Sequence, residues 1–163
     1  MRFKSFNSLR AIIYKLGYPI AKSVWFFTRP TTQGVKCLII KKGEPATSGS
    51  DQLLLIRHTY GKGTWNLPGG GIKRDEDHVE AIKREVFEEL GICLEDTKIR
   101  AVGSFFTTRE FKKDTVFCFA AEVTNEYFKI DEHEIAEAKW FSLDTIPDHT
   151  STIVGKIRKL SSV

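Results

Sequence analysis

What this 163-residue chain lacks already removes several classes of function. No apolar run approaches the roughly 18 residues needed to cross a bilayer as a helix. No segment recurs at a period of 20–50 residues, which excludes solenoids and propellers. Prolines number only five and no low-complexity tract is present, so the composition is that of a globular domain. Cysteine is scarce as well: Cys37, Cys93 and Cys118 are odd in number and far apart. They make no disulfide framework and show no zinc-ligand spacing. Cys37 and Cys118 lie inside apolar runs, which reads as reduced core thiols in a reducing, cytoplasmic compartment. The stretch "GKGT" lacks the spacing of a P-loop, so that kind of kinase or ATPase is disfavoured.

One absence is local. Residues 1–43 contain nine Lys/Arg and no acid, although the whole chain holds 25 basic and 21 acidic residues. Taking those nine away leaves 16 basic against 21 acidic groups, a net of −5 over residues 44–163. The overall charge of +4 therefore averages a basic arm and an acidic body. Residues 1–30 form the arm, a basic amphipathic helical segment, and residues 31–163 the domain. Within the arm Leu9, Ile13, Leu16, Ile20, Val24 and Phe27 recur at helical spacing, interrupted near Gly17 and Pro19. Three readings of it stay open. It packs on the domain or on the second copy of a homodimer; it makes weak contact with a membrane surface, given Lys and Arg beside Trp25, Phe26 and Phe27; or it is a cleaved targeting peptide without a clear apolar region. No nucleic-acid-binding motif accompanies the basic residues, so no such partner is expected.

From residue 34 the pattern changes to strands. "GVKCLIIKK" and "QLLLIRHT" read as two, separated by a turn-rich loop. A glycine-rich connection, "TYGKGTWNLPGGG", leads to a helix from about His78 to Leu90. "KIRAVGSFFTT" and "TVFCFAAEV" read as a strand pair, "AKWFSL" as another strand, and "HTSTIVGKIRKLSS" as a closing helix. The mixture predicts an α/β or α+β domain with helices covering a mixed sheet.

The helix is where acid collects. Asp75, Glu76, Asp77, Glu80, Glu85, Glu88 and Glu89 fall within fifteen residues. Asp77 is a natural N-cap with Glu80 three residues on, as in a capping box, and Gly91 suits the left-handed position that ends a helix. Val79, Ile82, Val86 and Leu90 define an apolar face. The first four acids sit where the helix dipole favours anions. Glu85, Glu88 and Glu89 do not: they share a flanking face near the C-terminal end. At about 6 Å apart they repel by roughly 3 kcal/mol per pair at an effective dielectric near 20. A solvated acidic face and a divalent-cation site are both open on spacing alone. Oxygen-only ligands would select Mg²⁺ or Mn²⁺ over zinc.

The wider pattern narrows the choice. Gly70, five residues, Glu76, seven residues, Arg84-Glu85-Val86, one residue, Glu88-Glu89, one residue and Gly91-Ile92 follow in order. This segment, residues 70–92, resembles the Nudix box at every defining position. Seven fixed residues would match by chance about once in 10⁸ starts. "LLLIRH", "W.LPGG" and "EAKWFSLDTIP" resemble the family's flanks, so the likeness covers about residues 34–147.

The resemblance implies an α/β/α sandwich around a mixed sheet. It implies a Mg²⁺- or Mn²⁺-dependent hydrolase that cleaves a phosphoanhydride in a nucleoside diphosphate linked to another moiety. By position, Glu85 and Glu89 are the expected metal ligands, with Glu88 a ligand or the base. The Gly69 carbonyl is the expected backbone ligand, Glu76 binds metal directly or through water, and Arg84 orients a ligand glutamate. The general base is Glu85 or Glu88 in the helix, or a glutamate of "DEHEIAEAKW", with Glu134 ahead of Glu132 and Glu137. Arg57 is a candidate for a substrate phosphate, with a structural ion pair as the alternative. His58 reads as a polar rim residue and Trp65 as packing. The downstream marks of ADP-ribose, diadenosine polyphosphate and NADH pyrophosphatases are missing, which leaves a nucleoside triphosphate, a nucleotide sugar or a similar nucleotide as substrate. A Nudix-fold sensor that binds a nucleotide without cleaving it is the alternative of another class.

Overall fold

The computed structural model describes residues 23–24, 26–28, 30–43, 50–94, 98–108, 113–125 and 127–161. Most of the basic arm lies outside the described residues, including Trp25. Of its predicted apolar stripe, Val24 and Phe27 are seen, helical and exposed. Among the described residues no helix is long and apolar enough to cross a membrane.

The elements in chain order are β1 (Thr31–Lys41), β2 (Gln52–His58), α1 (His78–Leu90), β3 (Ile99–Thr107), β4 (Lys113–Val123), β5 (Ile135–Ser142), a short 3₁₀ turn (Leu143–Thr145) and α2 (Thr152–Ser161). They form one five-stranded sheet in the order β3-β4-β1-β2-β5. Only β1 and β4 run parallel; β1–β2, β2–β5 and β3–β4 are antiparallel. This is the mixed sheet the strand and helix pattern predicted.

Strand alternation sorts the core into two layers. Val35, Cys37 and Ile39 of β1 join Leu54 and Ile56 of β2 beneath Ala81, Ile82, Val86 and Leu90 of α1. The other parity, Leu38, Ile40, Leu53 and Leu55, packs with Leu67, Val116, Cys118, Ala120, Ile146 and Val154, the last from α2. Each fully buried Leu, Ile or Val contributes about 1.5–3 kcal/mol. A helix on each face makes the α/β/α sandwich.

The feature that places the functional loop is a fork in the sheet. β1 and β2 pair only at Ile40–Leu53 and Lys41–Gln52 and then separate. The polar backbone groups exposed by that separation need partners, and residues 65–72 supply them. Val35 N–H donates to Gly70 O and Cys37 N–H to Pro68 O, both at 2.9 Å, while Asn66 and Ile56 exchange bonds of 2.8 and 2.9 Å. Ile72 N–H donates to Gln33 O at 3.1 Å. The glycine-rich connection thus acts as a short surrogate strand wedged between β1 and β2. Trp65 packs at its start, edge-on to Phe141 with ring centroids 4.8 Å apart.

Candidate active site

Helix α1 begins as its sequence predicts, with one difference. Asp77 caps it, its Oδ1 accepting from Val79 N–H at 2.8 Å. Glu80 pairs instead with Lys83 Nζ at 3.1 Å, one turn along the exposed face, so the reciprocal half of the expected capping box is replaced by an ion pair. Gly91 ends the helix at φ 65°, its N–H donating to Phe87 O. Gly91 N–H at 2.9 Å fixes where the acidic turn stops.

The last turns of α1 meet the wedged loop. Glu89 is only 3% exposed, and its Oε2 accepts from Gly69 N–H at 2.7 Å. Burial pushes its carboxyl up to about 7; the charge of Lys36 and the Gly69 N–H pull it down, and Glu85 and Glu134 push it further up. Glu134, from the turn before β5, is therefore within electrostatic reach of the buried carboxyl. His58 is near as well: burial, then the Lys36 charge, lowers its imidazole to about 4, so it is neutral at pH 7. It stacks on Tyr60 at 5.0 Å.

Arg84 organises the neighbouring acids. Its Nε and Nη2 donate to the two oxygens of Glu76 at 2.6 and 2.9 Å. Its Nη1 reaches Glu85 Oε1 at 2.7 Å and Glu88 Oε2 at 3.2 Å, and Nη2 also donates to Gly71 O at 3.0 Å. One guanidinium thus ties three carboxylates to the loop. The hydrogen bonds from Arg84 and then from Lys73 N–H hold the Glu76 carboxyl down at about 2. Arg84 is in turn raised above its ordinary range, chiefly by Glu76.

Glycine matters here for space. A Cβ at Gly70 would lie 2.6 Å from the Glu85 carboxyl carbon, so the gap left by the missing side chain is where that carboxylate sits. Gly69 has φ 123°, and a Cβ there would meet Ile82 Cδ1 and Lys36 Cα at 3.1 Å and collide with the Val35 carbonyl oxygen. A side chain at Gly69 would therefore strike β1 and one at Gly70 the Glu85 carboxylate, whereas a Cβ at Gly71 would meet nothing within 4 Å.

Glu85, Glu88, Glu89 and the Gly69 carbonyl, the ligands expected from the sequence, offer oxygen donors alone, a chemistry that suits a hard divalent cation. Among the described residues no three acidic, histidine or cysteine side chains already converge on one point, and Arg84 donates to oxygens of Glu85 and Glu88. The fit to a cation lies in the donor chemistry and in the Gly70 cradle.

Of the other residues singled out in the sequence, Arg57 pairs with Glu137 across β2 and β5 and stands 5.1 Å over the Trp65 ring. Glu132 is exposed in the turn before β5. The residue that pattern reading passed over is Lys36. Its Nζ donates to the carbonyl of Gly69. The available signal was a lone cation within the otherwise apolar run "VKCLII" of β1.

Comparison with known proteins agrees with this geometry. The model of the NUDIX domain matches residues 33–159. A NAD-capped RNA hydrolase NudC of Shigella flexneri is 31% identical over 112 residues, 68% of this chain and 40% of that protein. The matched segments span 25–40% of the length of the curated relatives. Among solved structures, an Ap4A hydrolase binary complex from C. elegans superposes with a TM-score of 0.68 at 23% identity, covering 80% of this chain and 96% of that one. The NUDIX domain of Shewanella oneidensis NrtR, complexed with ADP ribose, gives 0.66 at 16% identity, covering 81% and 86%. The acidic turn on α1, the glycine loop wedged against it and the match over residues 33–159 lead to one assignment: the chain belongs to the Nudix family.

Proposed function

We propose that this chain is a metal-dependent pyrophosphohydrolase that cleaves a phosphoanhydride bond in a nucleoside diphosphate linked to another moiety. The observation that carries the reading is Glu89: a carboxyl 3% exposed, bonded to the Gly69 N–H and surrounded by further acids. Such a group is costly to bury as an anion without a compensating cation. Glu85, Glu88, Glu89 and the Gly69 carbonyl would hold Mg²⁺ or Mn²⁺. When bound, the ion neutralises the acids, polarises phosphoryl oxygens and acidifies water.

The protein's own groups divide the remaining work. Arg84, gripped by both Glu76 oxygens, positions Glu85 and Glu88 and keeps them from repelling one another before metal binds. That arrangement supports Glu76 acting through Arg84. Glu134 is the favoured general base, because it stands near Glu89 while Glu85 and Glu88 are tied to Arg84. A cleft of about 820 Å³ lined by Gly34, Lys36, Gly70, Gly71, Glu76 and Asp114 opens beside the loop and suits a polar substrate. A nucleoside triphosphate or nucleotide sugar fits the reading.

The test is release of phosphate and pyrophosphate across nucleoside triphosphates, nucleotide sugars, dinucleotides, CoA and NAD-capped RNA, with Mg²⁺ or Mn²⁺. Turnover should vanish in EDTA and in Glu89→Gln. Nucleotide binding without turnover, unaffected by Glu89→Gln, would replace the enzyme with a sensor.

A further inference from the structure

The Gly69 peptide is held from both ends. Its N–H donates to Glu89 on α1, and its carbonyl accepts from the ammonium of Lys36 on β1. The second contact is built into the fold. Val35 and Cys37, on either side of Lys36, anchor the loop through Gly70 O and Pro68 O, which fixes the Lys36 backbone against Gly69. The ammonium is felt throughout this part of the molecule: its charge favours the ionised forms of Glu89 and Cys118 and opposes protonation of His58. Among the described residues, Lys36 is therefore a cation of the cluster at the carbonyl oxygen that the reading above assigns to a divalent ion.

Two cations cannot share that oxygen without repelling. We propose that Lys36 is a resident counter-cation of the metal loop: it holds the Gly69 carbonyl in the metal-free protein and competes there with the incoming ion, so that it sets the metal affinity as a positioning residue. The inference rests on the metal-dependent reading of the site. It differs from a structural role in sign. Loss of a merely structural lysine would loosen the loop and weaken metal binding, whereas loss of a competitor strengthens it.

The experiment is Mn²⁺ binding to the full chain, measured by electron paramagnetic resonance of the free ion. Lys36→Met and the polar Lys36→Gln are compared with wild type. Lys73→Met serves as control, because Lys73 is an exposed cation 3.9 Å from Glu88 and outside the Gly69 contact. Circular dichroism checks that each variant is folded, and having two variants of differing polarity guards against one misfolding. Both Lys36 variants should bind Mn²⁺ at least about tenfold more tightly, given the Coulomb energy of adjacent charges in a partly buried site. Lys73→Met should give a smaller gain that fades in high salt, since exposed charges are screened. Unchanged or weaker binding in both Lys36 variants, or a gain equalled by Lys73→Met, overturns the proposal while leaving the metal site standing. Absence of Mn²⁺ binding in wild type and all variants overturns both this proposal and the metal-dependent reading.

Discussion

Replacing Glu89 by glutamine should make the metal-free protein more stable at pH 8 while destroying its proposed activity. The argument is one of linkage. The folded carboxyl titrates at about 7 against an ordinary 4.5, so between those values the unfolded chain releases a proton that the folded chain keeps. Below 4.5 both states are protonated and the group contributes nothing against folding. Stability is then lost as pH rises through about 7, and above that the loss is complete and constant. The gap of roughly two and a half pH units, at about 1.4 kcal/mol each, comes to about 3–4 kcal/mol. At 3% exposure there is little solvent screening to reduce it. Glutamine removes the charge and keeps an oxygen for the Gly69 N–H, so it recovers most of that sum. Urea unfolding in EDTA, followed by tryptophan fluorescence at pH 5 and pH 8, measures it. The variant should exceed wild type by about 3 kcal/mol at pH 8 and by little at pH 5. Parallel stability profiles of the two proteins would refute the claim that Glu89 is buried as a costly anion.

Arg84→Lys keeps the charge but loses the paired bonds to Glu76, and should lower kcat/KM by about 10–100-fold while the melting temperature moves little; equal activity would remove Arg84 from the positioning role. Gly70→Ala and Gly69→Ala should fail differently. At Gly70 the new methyl meets only the movable end of Glu85, so Mn²⁺ affinity falls and the fold survives. At Gly69 it meets backbone at a positive φ, and denaturant unfolding should show a loss of about 2–3 kcal/mol. Thiol titration with Ellman's reagent should find one fast cysteine in the native protein, the exposed Cys93, and all three after unfolding. Burial pushes Cys37 up to about 12 and Cys118 to about 11, so neither offers a thiolate near neutral pH.

Much of the molecule was legible in one dimension because its elements are specified locally. The run from His78 to Leu90, with Asp77 before it and Gly91 after it, marks a helix by cap, period and stop, and the helix spans those residues. The box could be recognised for the same reason: its acids are close in sequence, and Glu85, Glu88 and Glu89 share one helical turn. Contacts between distant segments were another matter. Nothing local to Glu89 says that it, unlike Glu88, turns inward, since that follows from which side of α1 lies on the loop. Glu80 had two local partners available, and the one it takes is Lys83. The Lys36–Gly69 contact joins residues 33 apart and exists only because β1 and β2 separate and the glycine loop fills the fork. The sequence by itself therefore determined the helix, the strands and the acidic chemistry, all products of short-range periodicity and capping. The tertiary structure alone decided which carboxylate is desolvated and which cation faces it, because burial and charge pairing depend on distances that only sheet pairing sets.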